Sequence, residues 1–330
     1  MNLAQALVLG GLVALIATHL LAVWQLFITA LLMGIGQMLS EISSSALVPT
    51  IASAQQLPQV NGYLSTTKEL GGGLAGPAVA GLLYAACAGL PFGVNACSFL
   101  AAGLIISGLA RHEKAARAQS LAGPSALRPD SRLRAGAGWV AGDRHVRSLA
   151  LMVAAWSLFG WMPEAVLVLY TKEDLHSSSA AFGGLLAATA AGAVLGGIFS
   201  RRLISRLGIA RTLAPSLLLY SLLMVPPAFI ASIYPVGLVF FLQGIPILIF
   251  TVAAATARQT LVPANLMARV AGIFYLAGAG MAPLGLLAGG FIGSYLSLRA
   301  TFLFGAAGLA MSVILLSRQL KGIDLRMPHD

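Results

Sequence analysis

The stretch PVGLVFFLQGIPILIF, residues 235–250, decides the fold. It is apolar on every face, with neither the period-2 alternation of a half-buried strand nor the polar stripe of a surface helix. The run Leu213–Leu223 reads the same way. Across the chain 58% of residues are hydrophobic and 9% charged, against roughly 25% charged in a soluble domain. One water-soluble core could not hide that much apolar surface. A bilayer can, provided each backbone polar group is bonded within a helix or a closed barrel. A barrel would alternate polar and apolar residues along each strand, and these runs do not. The chain is therefore expected to be all-α and polytopic.

A span needs about 20 mostly apolar residues. Ten segments qualify: 3–22, 24–47, 62–88, 91–110, 148–171, 179–200, 211–232, 235–257, 269–292 and 300–318. Residues 111–147 are basic and polar and contain Pro124 and Pro129. They read as a cytoplasmic linker with a helix of its own around Arg132–Val146. It separates a four-helix bundle, 1–110, from a six-helix bundle, 148–330. The N-terminus lacks the basic region of a cleavable signal peptide, so the first apolar stretch is expected to be a span. Cys87 and Cys97 have no metal or redox spacing and are expected to be buried free thiols.

If the helices alternate, Lys and Arg collect on one side. They lie in 111–147, at Arg201, Arg202, Arg206 and Arg211, at Arg258 and Arg269, and at Arg318, Lys321 and Arg326. The other side has Lys172 and Arg299. This positive-inside bias places the basic side and both termini in the cytoplasm of a cell membrane. The net charge of +10 then faces anionic lipid headgroups. No recognition module points to nucleic acid.

Two spans share a pattern. The third contains Gly72, then Gly76-Pro77 and Gly81; the ninth contains Gly278, then Ala282-Pro283 and Gly285. Each has a small residue four positions before a small-Pro pair, and Leu47-Val48-Pro49 and Leu261-Val262-Pro263 precede them. Occurrences six spans apart suit a duplication of six-helix halves. Small residues at this spacing let helices approach closely, and tight packing alone would also explain them.

Together with Gly36, Ala46-Leu47-Val48-Pro49, Leu57, Asn61-Gly62 and Ala96-Cys97-Ser98-Phe99-Leu100, this pattern resembles the major facilitator superfamily. Within it the nearest likeness is to the enterobactin-exporter and macrolide-efflux branch. The run Gly72, Gly76, Pro77, Gly81 is similar to that superfamily's exporter helix signature, with Ala80 where a second glycine is usual. Asn95 stands where such proteins often carry an acid. Arg201, Arg202, Arg206, Gly208 and Arg211 resemble the second-half copy of the superfamily's cytoplasmic gate loop, with a tight turn expected at Gly208. Ordinary positive-inside anchoring would place the same arginines there. The resemblance puts the first span here at the family's third, so that two helices of the family's first half have no counterpart.

Ionisable residues within spans are costly and mark candidate sites. Glu41 lies in the second span, and Lys68 and Glu69 lie in the third, about 100° apart around the helix. Lys68 could snorkel or pair with Glu41. Glu164 follows Pro163 in the fifth span with Trp156, Trp161 and Tyr170, which suits either a cavity wall for an aromatic or cationic substrate or an interfacial belt. Gln243 is a lesser candidate for the lining. The resemblance implies a monomeric secondary exporter of a small amphipathic molecule, driven by protons, without cofactor or metal. A non-transporting remnant, an accessory membrane protein and an importer of the same architecture compete with it. His19, His112, His145, His176 and His329 form no ligand cluster and no nucleophile motif is present, so an enzyme is not expected.

The charge asymmetry has a direct check. With both native cysteines replaced by serine, Arg206→Cys should react with an impermeant maleimide in inverted vesicles and stay unlabelled in intact cells.

Overall fold

The computed structural model describes residues 2–18, 20, 22–53, 55–76, 79, 83, 87, 89–117, 137–263 and 265–320. Its helices are α1 (Asn2–Ala17), α2 (Val23–Ile51), α3 (Leu57–Lys68), α4 (Leu90–Arg117), α5 (Arg144–Gly160), α6 (Ser179–Leu207), α7 (Ile209–Leu223), α8 (Ile233–Leu261), α9 (Met267–Tyr295) and α10 (Leu298–Leu320). No strand occurs among the described residues. Among the described residues seven helices are long and apolar enough to cross a membrane, and Asn2–Ala17 and Leu90–Ile105 are shorter apolar helices. Large apolar side chains such as Leu7, Phe27, Leu222, Leu287 and Phe291 point outward. In water such a surface would aggregate; against lipid it is the expected exterior.

By packing, the chain divides into two units. The first comprises Met1–Ser44 and Pro77–Ser131, the second Ser45–Gly76 and Arg132–Asp330. In the first unit α1 lies along α4, where a Cβ on Gly103 would meet Leu3. The Gln5 side chain is buried against Gly36. Cys87 and Cys97 are free but exposed, contrary to the expectation of burial. A thiol is apolar enough to sit on the outer face of a helix as readily as inside.

The second unit holds the aliphatic cores. Leu149, Met152, Leu213, Leu217, Phe250, Val252, Phe274, Leu309 and Val313 bring α5, α7, α8, α9 and α10 together. A smaller cluster joins Leu167, Tyr170, Leu185, Val236 and Phe302. Tyr170 stacks on Phe302 with ring centroids 4.9 Å apart, and its hydroxyl donates to the Pro227 carbonyl at 2.7 Å. Buried hydroxyls within helices donate back along their own helix, as Thr256 does to Val252 and Ser216 to Thr212, both at 2.8 Å. Each such hydroxyl is thereby paired within its own helix and does not face hydrocarbon alone.

Helices α6 and α8 meet backbone to backbone. A Cβ on Gly192 would overlap the Phe241 carbonyl oxygen, one on Gly196 that of Ile245, and one on Gly244 that of Thr189. Lipid tails are as apolar as leucine, so burial supplies little drive inside a bilayer and close van der Waals contact must supply it.

The linker helix expected around 132–146 is described only from residue 137, and there it is interrupted at Asp143. Residues 137–142 are helical, and Asp143 then caps α5 by accepting from the backbone N–H groups of His145 and Val146 at 2.8 and 3.0 Å. Residues 118–136 lie outside the described part. The paired Leu-Val-Pro runs differ in position, since Pro49 is inside α2 whereas Val262-Pro263 follows α8. Matching turns instead lead from Ile51 to Leu57 and from Leu261 to Met267. They set Val60-Asn61-Gly62 against Val270-Ala271-Gly272. The Leu-Val-Pro and small-Pro matches each fall about one helical turn from that register, in opposite directions.

Gly244→Leu should drive a side chain into the α6 backbone and cost about 3 kcal/mol or more of stability. A thermal unfolding midpoint several degrees lower in detergent would register it.

Candidate functional site

The fifth span does not run straight through. Helix α5 ends at Gly160, a single tight turn covers Pro163–Ala165, and the chain resumes through Leu167–Leu169 into a wide turn, Tyr170–Asp174. Proline explains the break, because Pro163 has no N–H to continue the ladder. Irregular backbone at membrane depth is tolerated where it is packed in protein or lines a cavity. Glu164 sits in that break.

The residue is exposed at the surface of the second unit, beside the buried Met162 and Pro163. It makes no hydrogen bond or ion pair among the described residues. Tyr220 of α7 is close enough to feel its charge. Trp161 is exposed, while Trp156, one turn earlier, is half-buried with its indole N–H lacking an acceptor among the described residues. Tyr170, read from sequence with this group, instead belongs to the buried cluster with Phe302. At the end of the broken span Asp174 pairs with Arg299 at 3.5 Å.

The other sequence candidates lie on other elements. Gln243 is buried, and its amide donates to the Leu223 carbonyl at 2.7 Å, satisfying an acceptor that α7 leaves open at its C-terminus. This is a structural tie between α7 and α8. Glu41 is half-buried in the first unit, whereas Lys68 and Glu69 belong to the second. Lys68 is exposed and Glu69 half-buried at the start of a wide helical turn, Glu69–Ala75. Gly72 is exposed in that turn and Gly76 ends it; Pro77 and Gly81 lie outside the described residues.

The expected turn at Gly208 is present. Its φ of 81° and ψ of 157° belong to a region open essentially to glycine alone, and the residue joins α6 directly to α7. Arg201, Arg202, Arg206 and Arg211 around it are all exposed. No group of His, Cys, Asp or Glu that could hold a metal ion occurs among the described residues.

A cluster of uncharged polar residues joins α3 to α8. Asn61 donates through Nδ2 to Gln259 Oε1 at 2.6 Å and to Thr256 Oγ1 at 3.1 Å, and all three residues are buried. Beside it, Arg258 donates to Ser45 Oγ at 3.1 Å and lies 5.3 Å from the Phe274 ring centroid. Asn61 is uncharged, so a search confined to ionisable residues passes over it.

Long, continuously apolar helices with an apolar exterior define a polytopic membrane protein. The profile of the transmembrane secretion effector family matches residues 1–325, and the chain belongs to that family of major facilitator transporters. No curated protein sequence matches it. Its fold is similar to a bacterial homologue of the iron transporter ferroportin, crystallised in an outward-facing state. That match has a TM-score of 0.68 and 18% identity, over 97% of this chain and 79% of the other. It is also similar to the human organic anion transporter MFSD10 (TETRAN). There the TM-score is 0.71 and the identity 19%, over 96% of this chain and 76% of the other.

Proposed function

We propose that this transporter exports a small amphipathic molecule from the cytoplasm in exchange for protons, by alternating access. The observation that carries the reading is Glu164, a carboxylate with no hydrogen bond or ion pair among the described residues, in a broken span that also carries Trp156 and Trp161. Such a group can exchange a proton or hold a cationic substrate, while the aromatic faces accept its apolar part. Broken spans supply binding groups in many transporter folds.

In this reading the halves 1–110 and 148–330 rock against each other, with 111–147 as the cytoplasmic tether. The family resemblance favours the enterobactin-exporter and macrolide-efflux branch. Arg201, Arg202, Arg206 and Arg211 serve as the cytoplasmic gate loop, and the helix containing Gly72 and Gly76 follows the exporter pattern. The protein sits as a monomer in the cell membrane with its termini in the cytoplasm, moves its substrate without chemical change and needs no cofactor. Glu41, Lys68 and Glu69 are secondary candidates for the proton path.

Energised inverted vesicles should accumulate at least one of ethidium, a macrolide or a catecholate siderophore. Glu164→Gln should slow that accumulation roughly tenfold or more, by removing a group worth at least about 1.4 kcal/mol to the cycle. Undiminished rates in the variant for every accumulated compound would reject the Glu164 assignment.

A further inference from the structure

Pro163 disturbs the hydrogen-bond ladder of the fifth span at two carbonyls. In an unbroken helix the Phe159 carbonyl would accept from the N–H of residue 163, and proline has none. The Met162 carbonyl loses the same kind of partner, because the N–H of Val166 is turned to the Pro163 carbonyl at 3.1 Å. Lipid offers such carbonyls no donor, so neighbouring protein has to face them.

Glycines from two helices stand against this stretch. On α9, Gly285, Gly289 and Gly293 are spaced four residues apart and share one face. They run in step with Leu158, Met162 and Val166. A Cβ on Gly285 would overlap the Leu158 carbonyl oxygen, one on Gly289 would overlap that of Met162, and one on Gly293 would lie 2.6 Å from Val166 Cγ1. On α10, a Cβ on Gly305 would lie 2.8 Å from the Phe159 carbonyl oxygen and 3.7 Å from Pro163 Cδ. In glycine a hydrogen occupies that position, so the Cα offers the oxygen a weak C–H donor. Both carbonyls that lose their helical N–H, those of Phe159 and Met162, therefore face a glycine Cα. Gly308, about one turn further along α10, differs: a Cβ there would meet the Phe159 ring and not a carbonyl.

We infer that Gly289 and Gly305 are positioning residues for Glu164. They receive the carbonyls displaced by Pro163 and so fix the tight turn, Pro163–Ala165, that carries the carboxylate. Their role rests on the one proposed for Glu164. Neither has a side chain to mark it, and neither is near Glu164 in sequence.

The placement of Glu164 can be read without transport. A fluorescent, lipid-soluble carbodiimide couples to carboxyl groups accessible within the membrane, and the rate lost in Glu164→Gln is the rate at Glu164. In lipid nanodiscs, well below the unfolding temperature, Gly289→Ala and Gly305→Ala should each change that rate by about threefold or more, the scale of one weak C–H···O contact. Gly308→Ala should lower the thermal midpoint and leave the rate unchanged; an equal change there would mean general crowding and overturn the inference. Pro163→Ala restores the missing N–H and should change the rate too. Adding Gly305→Ala to it should then have less than about a twofold further effect, because sites that share one interaction do not add. Unchanged rates in both glycine variants, or effects of Pro163→Ala and Gly305→Ala that simply multiply, would overturn the inference. If neither glycine variant folds, a native rate in Pro163→Ala overturns it. Rates that shift as expected while Glu164→Gln transports normally would support the positioning and reject the role given to Glu164.

Discussion

The backbone contact between α6 and α8 is the constraint on which the rest of the second unit depends. Gly192 and Gly196 on one helix and Gly244 on the other leave no room for side chains, so each helix is packed against the other's carbonyl groups. In water, leucines would draw such helices together by leaving solvent. In a bilayer they would be equally content against lipid, and shape has to do the work instead. With that seam fixed, the larger apolar residues of α8 are directed toward α5, α7, α9 and α10, where the main core forms. Gln243, next to Gly244, is positioned to satisfy the open end of α7.

On that frame the irregular parts stand out as departures with physical causes. The fifth span breaks at Pro163, and Glu164 in the break is exposed. The segment carrying α3 is held by amides, hydroxyls and small residues. Gly208 turns the chain in a conformation other residues avoid. A transporter needs a rigid part and a binding group that is not neutralised by its own structure. The break, the α3 segment and the Gly208 turn occur on different elements of the second unit.

Much of this was legible in the residues. Continuous apolar runs such as 235–250 announce helices because a membrane removes the need for a polar face, and described helices overlap each of the ten runs, the third over its first part and the fifth up to its break. Gly208 could be read because its neighbours are strongly helical and basic on both sides. Gln243 could be found but not assigned: an amide in a span can line a cavity or cap a neighbouring helix, and the distance to Leu223 decides that, not the sequence. The Asn61 cluster was harder. Its partners are far along the chain, and a neutral amide near the beginning of a helix is ordinary until a facing glutamine is seen. The thiols were misjudged because apolar character does not distinguish burial in protein from exposure to lipid.

The rigidity assigned to the glycine seam can be measured across it. Leu195 on α6 and Leu242 on α8 are both exposed enough to carry spin labels as cysteines in a background with Cys87 and Cys97 replaced by serine. In lipid nanodiscs, across the pH range over which transport is measured, this pair should give one narrow distance that does not move. A second distance, or a shift with pH, would contradict the view that α6 and α8 form the fixed frame of the second unit.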